Sequence, residues 1–212
     1  MTKKNPKESS LSMKPHGSQK ISAKRSKSLK DRIRQGDIFE DLEIIESIEV
    51  IQSKVILKKI VFPYAICLNQ ECDLETDFIT NGKKNCDKNL IHIAIAPAFI
   101  FEQFLTGKHW DEIFIKESEA LARTSTSATK ITNNEIPRYH YLKFPDKDMP
   151  ELILDFKHFF TINRSEIYRN IDKRICSLDD LFRESINQRF SSYISRIGLP
   201  EEPITQTCSY ES

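Results

Sequence analysis

Between Gly36 and Leu68 the chain passes from one strand-like stretch to the next and leaves no room for a helix. Gly36-Asp37 before Ile38 and Phe39 reads as a turn into a strand. Residues 41–50 set Leu42, Ile44, Ile48 and Val50 among acids at a roughly two-residue period. Gln52 to Leu57 and Lys59 to Cys67 are rich in Val and Ile, as strands are. Pro63 cannot donate to a ladder, which predicts an edge or a bulge there.

The pattern resumes downstream. Leu90 to Pro97 places Ile91, Ile93 and Ile95 on one side and His92, Ala94 and Ala96 on the other. Residues 138–142 and 152–162 read as two more strands. Residues 73–89 are polar, carry an Asn81-Gly82 turn signal, and read as a loop or hairpin connection. Phe99 to Leu105 is a short apolar segment stopped by Gly107. Residues 110–123 have weak helical spacing through Trp110, Ile113, Phe114 and Leu121. Residues 124–134 are Ser/Thr/Asn-rich and predict a mobile loop. A final helix starts with Ser177 as N-cap and Asp179 and Asp180 in its first turn. Its apolar stripe runs through Leu178, Leu181, Phe182, Ile186, Phe190, Tyr193, Ile194 and Ile197, and Gly198 and Pro200 end it. These elements predict an α+β fold. It is a small curled antiparallel sheet or SH3-like barrel with a helical insertion near 99–125 and a long C-terminal helix.

Charge divides the chain. Residues 1–34 hold eleven Lys or Arg against two acids, net +9, and the remainder is net −8. Residues 1–33 are Lys/Ser-rich with few large apolar side chains, which predicts a disordered basic arm. Residues 34–200 are then one domain, and 201–212 a flexible tail. Lys24, Arg25, Lys27 and Lys30 of the arm, with Arg138 of the body, are candidate nucleic-acid contacts. The arm has no interleaved aromatics for base stacking. No apolar run approaches a membrane span, and the basic N-terminus lacks the apolar core of a secretory signal. Five cysteines, an odd number, predict a reduced, cytoplasmic chain.

The strand over 59–67 ends in Asn69-Gln70-Glu71-Cys72-Asp73-Leu74, which gathers an amide, a carboxylate and a thiol. Cys72 and Asp73 are candidate catalytic residues, with Asp155 and His158 as distant partners. The alternative is a structural loop in which Asp73 caps backbone N–H groups and Cys72 is half buried. Cys67 and Cys72 lack a second ligand pair at zinc spacing. No Gly-rich phosphate loop or zinc-protease motif occurs either, so neither a metal nor a cofactor is expected. Phe99, Phe101, Phe104, Trp110 and Phe114 either complete the core or form a partner surface.

Gly36-Asp37-Ile38, the strand Tyr64-Ala65-Ile66-Cys67-Leu68 and the closing helix occur in an order similar to the SH3-like barrel of the PemK/MazF group. Asn69-Gln70-Glu71-Cys72-Asp73-Leu74 resembles, more closely, the (Ser/Asn)-Gln-x-Cys-Asp-Leu motif of small bacterial proteins. Those proteins end in a helix like Gln188-Arg189-Phe190 through Gly198-Leu199-Pro200. The resemblance covers about residues 34–200. It implies a phage-defence or toxin–antitoxin context. PemK/MazF toxins are RNA endonucleases, but the arginine they use has no counterpart beside residues 61–68, which counts against ribonuclease activity. The expected function is a non-enzymatic binding component that contacts a protein of the same operon. RNA or DNA contacts through the arm and a homodimer are compatible with it. The alternative is a MazF-like endoribonuclease or other hydrolase using residues 70–73.

Overall fold

The computed structural model describes residues 31–83, 87–111, 125–145 and 148–196. Its elements are β1 (Asp37–Ile51), β2 (Lys54–Cys67), α1 (Glu71–Thr80), β3 (His92–Ile100), α2 (Phe101–Thr106) and α3 (Ser125–Thr132). They continue with β4 (Tyr139–Leu142), β5 (Leu152–Asp155), β6 (Phe160–Asn163), α4 (Arg164–Arg169), β7 (Arg174–Ser177) and α5 (Asp180–Ile194). The fold is α+β. Seven strands form one antiparallel sheet in the order β4-β5-β3-β2-β1-β7, and β6 pairs with the first half of β3. The sheet does not close into a barrel. No helix among the described residues is long and apolar enough to cross a membrane.

Helices cover both faces of the sheet's centre, which is why its strands read as near-continuous apolar runs. On one face α5 packs Phe182, Ile186, Phe190 and Tyr193 against Ile38, Ile66, Ala98, Leu154 and Phe156. A second cluster joins Leu74 of α1 and Ile167 of α4 to Phe39, Ala65, Cys67, Ile93 and Ile95. A third surrounds Phe99 and Phe104 with Phe62, Ile131 and Tyr139. Thus Phe99, Phe101 and Phe104 complete the core.

Gly36 is where β1, β2 and α5 meet. Its N–H donates to Cys67 O at 2.9 Å, and its carbonyl accepts from Leu178 N at 3.1 Å. Its φ is +76°, and a Cβ there would stand 2.8 Å from Arg183 Cβ. Both facts require glycine.

Several elements differ from the sequence reading. Residues 71–80 form α1 in place of a loop, because Leu74 and Asp77, three apart, bury one helix face. Residues 125–132 form α3 in place of a mobile loop, held by fully buried Ile131. The strand expected over 152–162 breaks at Asp155, whose carboxylate accepts Lys157 N at 3.0 Å and starts a 3-10 turn. Asp179 caps α5, and Ser177 belongs to β7 and donates to Asp37. Leu181 and Ile194 are exposed, so they do not join the apolar stripe. Ile33 is fully buried, so the packed body begins inside the stretch assigned to the arm. The helix expected over 110–123, beyond Asp111, and the tail 201–212 lie outside the described residues.

Candidate functional site

The motif at the end of β2 is an anchor for the fold. Asn69 Oδ1 accepts Ala94 N at 2.6 Å and ties the strand end to β3. Glu71 opens α1 and collects cations from three directions. Arg32 donates to its Oε1, Arg34 Nε lies 3.1 Å from the same oxygen, and Arg183 Nη1 lies 3.5 Å from Oε2. Gln35 N also donates to Oε2 at 2.9 Å, and Gln35 Oε1 accepts Glu71 N at 3.3 Å. One carboxylate therefore joins residues 32–35, α1 and α5. Beside it, Asp37 accepts from Ser177, Arg34 N and Arg174. Burial pushes the Asp37 carboxyl up, and the Ser177 and Arg174 hydrogen bonds oppose that shift. Farther along α1, buried Asp77 accepts Arg164 Nε through both oxygens, at 2.8 and 2.6 Å, and Leu90 N at 2.8 Å.

The four candidate catalytic residues fall into two separate groups. Cys72 is exposed on α1, its Sγ 3.6 Å from Gln70 Oε1 and 3.8 Å from Asp73 Oδ1. An amide oxygen and a carboxylate do not supply the positive field that a thiolate nucleophile needs. Asp73 is exposed and caps no backbone group, so the expected structural roles of Cys72 and Asp73 fall to Asn69 and Glu71 instead. Asp155 is buried and held by Arg138, whose Nε lies 2.7 Å from Oδ1 while Nη2 binds Oδ2. His158 Nε2 is 3.9 Å from Asp155 Oδ2, and its ring meets Trp110 edge-on. Burial is the main influence lowering the His158 pKa, against the pull of Asp155. Among the described residues, no hydrogen bond or ion pair joins Cys72 or Asp73 to Asp155 or His158. None of them forms a group of His, Cys, Asp and Glu that could hold a metal ion.

Of the nucleic-acid candidates, Lys24, Arg25, Lys27 and Lys30 lie outside the described residues. Arg138 is committed to Asp155. The cations that would extend a basic surface also have partners. Lys143 pairs with Glu151 at 2.7 Å, Arg183 with Asp180 at 3.1 Å, and Arg196 lies over the Tyr193 ring.

The feature that sequence reading missed is the far half of the β1–β2 hairpin. β1 meets β7 only through Phe39, and β2 meets β3 only from Tyr64 onward. Beyond these points the two strands, among the described residues, pair with each other alone and end in a turn at Gln52 and Ser53. Both have positive φ, as a type I′ hairpin turn requires. At about 3.3 Å per residue, Glu43 to Ile51 extends roughly 25–30 Å.

A bulge determines what this extension presents. Ile45 pairs with Lys59 and Ser47 with Lys58, so Glu46 is one extra residue in β1. Before it, Leu42 and Ile44 stand opposite Phe62 and Ile60 and pack into the core. After it, Ile48 and Val50 stand opposite Leu57 and Val55, on the other face. Ile45, Ile48, Val50, Val55, Leu57 and Val61 thus form one apolar surface, between 40% and 69% exposed. At its base Lys59 Nζ pairs with Glu43 at 3.0 Å. Beside that pair, consecutive residues Glu43–Ile45 of β1 and Phe160–Asn163 of β6 line a groove of about 430 Å3.

No protein-family model matches the chain, and no curated protein matches it.

Proposed function

We propose that this protein is a non-enzymatic binding component that acts through protein contacts made by the β1–β2 extension. The observation that carries this reading is the set of six exposed apolar side chains on one face of a hairpin that, among the described residues, pairs with no further strand beyond its base. Monomeric proteins rarely leave such a contiguous patch uncovered unless it binds something. The separation of Cys72 and Asp73 from Asp155 and His158 favours binding over hydrolysis, since a catalytic constellation needs its groups within hydrogen-bond reach. The resemblance of residues 69–74 to the motif of small bacterial proteins supports a phage-defence or toxin–antitoxin-like setting, and the odd number of cysteines supports a reduced, cytoplasmic one. The basic N-terminal residues add nucleic-acid contacts to the protein contacts.

The test is co-purification from the native host, beside a toxicity or defence assay, with four forms of the full chain. These are wild type, Leu57→Glu, Cys72→Ala, and a form with Lys24, Arg25, Lys27 and Lys30 changed to Glu. A stoichiometric protein that is lost with Leu57→Glu and kept in the other variants supports the reading. Nucleic acid lost only from the last variant would place binding in the arm. Toxicity or defence that survives Leu57→Glu but not Cys72→Ala would favour the hydrolase.

A further inference from the structure

We infer that the apolar face of the hairpin extension pairs with the same face of a second copy of this chain. The inference rests on the reading of that extension as the binding surface. Among the described residues, the register places Glu43 and Lys59 on this face, paired at 3.0 Å, and Lys173 acts on Glu43 at the base of the hairpin. The rows Ile48–Leu57 and Val50–Val55 carry no charge, so they can meet the same rows of a second copy without like-charge repulsion.

Shape and area agree with a twofold arrangement. The apolar rows are Ile45, then Ile48 with Leu57, then Val50 with Val55. The Ile48–Leu57 row is central, so a twofold axis there sets each Leu57 near its counterpart and each tip over the other copy's Glu43–Lys59 pair. Two flat strand faces stack at about 10 Å, with side chains interdigitating. Six Val, Leu and Ile side chains, at least two-fifths exposed, present roughly 300–400 Å2 of apolar surface per copy at about 25 cal/mol per Å2 and 1.5–3 kcal/mol per buried side chain. With the rim this reaches the low end of specific interfaces, below about 600 Å2 per partner. The dimer is therefore one that dissociates on dilution.

The test is sedimentation velocity on the full chain between about 1 and 300 µM. The average mass should rise toward the dimer. Leu57→Glu should raise the dimer Kd at least about tenfold, while Ile51→Glu on the opposite face should change it less than about twofold. Mixing Leu57→Glu with Leu57→Lys should restore association, because the two side chains meet at the axis. That mixture also controls for a variant whose hairpin is merely disturbed. A wild type that stays monomeric, a dimer indifferent to Leu57→Glu, equal loss from Ile51→Glu, or a mixture that stays apart would each overturn the inference. If self-pairing fails but Leu57→Glu still releases a host protein, the extension keeps its binding role and only the identity of its partner changes.

Discussion

Ile48 stands opposite Leu57 across the β1–β2 ladder, and the two side chains remain 62% and 47% exposed. Side chains that touch so little of the core contribute little to folding. Replacing both with Ser should change unfolding free energy by no more than about 0.5 kcal/mol. Binding of a hydrophobic dye to the native protein should fall clearly. Chemical denaturation beside dye fluorescence checks both, and a loss of several kcal/mol would mean that the face is covered within the chain.

Gly36 has no room for a side chain. Gly36→Ala must place its Cβ against Arg183 and Leu178 and hold an unfavourable positive φ. The expected cost is about 2–4 kcal/mol, the sum of strain and overpacking. Gly82 also has positive φ, but a Cβ there would meet nothing within 4 Å. Gly82→Ala should therefore cost only about 1 kcal/mol. Thermal melts of the two variants compare the sites directly.

Glu71 and Cys72 are neighbours with opposite expectations. Removing the Glu71 carboxylate takes away the partner that Arg32, Arg34 and Arg183 share, although Arg32 keeps Glu75 and Arg183 keeps Asp180, so Glu71→Ala should lose about 2 kcal/mol. Cys72→Ser, on the exposed side of α1, should stay within about 0.5 kcal/mol of wild type. Denaturant titrations decide, and a large loss at Cys72 would return the motif to the catalytic reading.

His140 lies buried near Phe156, with neither ring nitrogen hydrogen-bonded. Burial, reinforced by Arg189, lowers its pKa from 6.5 to about 3. The unfolded chain then binds a proton at this site between pH 6.5 and about 3 while the folded chain does not. The His140 contribution is therefore intact above pH 6.5 and is lost progressively as pH falls toward 3. His140→Phe should flatten the acid limb of the stability–pH curve over that window. Equal slopes in the two proteins would contradict the assignment.

The sheet was legible because Val- and Ile-rich runs alternate or bury on both faces, and those patterns survive in β1, β2 and β3. Glycine at 36 announced the turn for a sound reason, since only glycine fits there. The short helices were hidden because their cores are one or two residues, Leu74 and Asp77 in α1 and Ile131 in α3. Such burial depends on contacts distant in sequence. Asp77, for instance, is held by Arg164, 87 positions away. The anchoring role of Glu71 was hidden for a related reason. Cys72 and Asp73 drew attention by residue type, whereas Glu71, the less distinctive neighbour, holds the arginines. The exposed hairpin face was concealed by the Glu46 bulge. Counting by twos puts Ile48 and Val50 with Leu42 and Ile44, and the extra residue sends them to the opposite face.

The most direct measurement is site-specific photocrosslinking in the native host, with a photoreactive side chain at position 57 and, as control, at exposed Leu181 on α5. One discrete protein adduct is expected from position 57, either a host protein or a second copy of the chain, and only diffuse background from position 181. Equal diffuse labelling at both positions, or a discrete adduct only at 181, would contradict it.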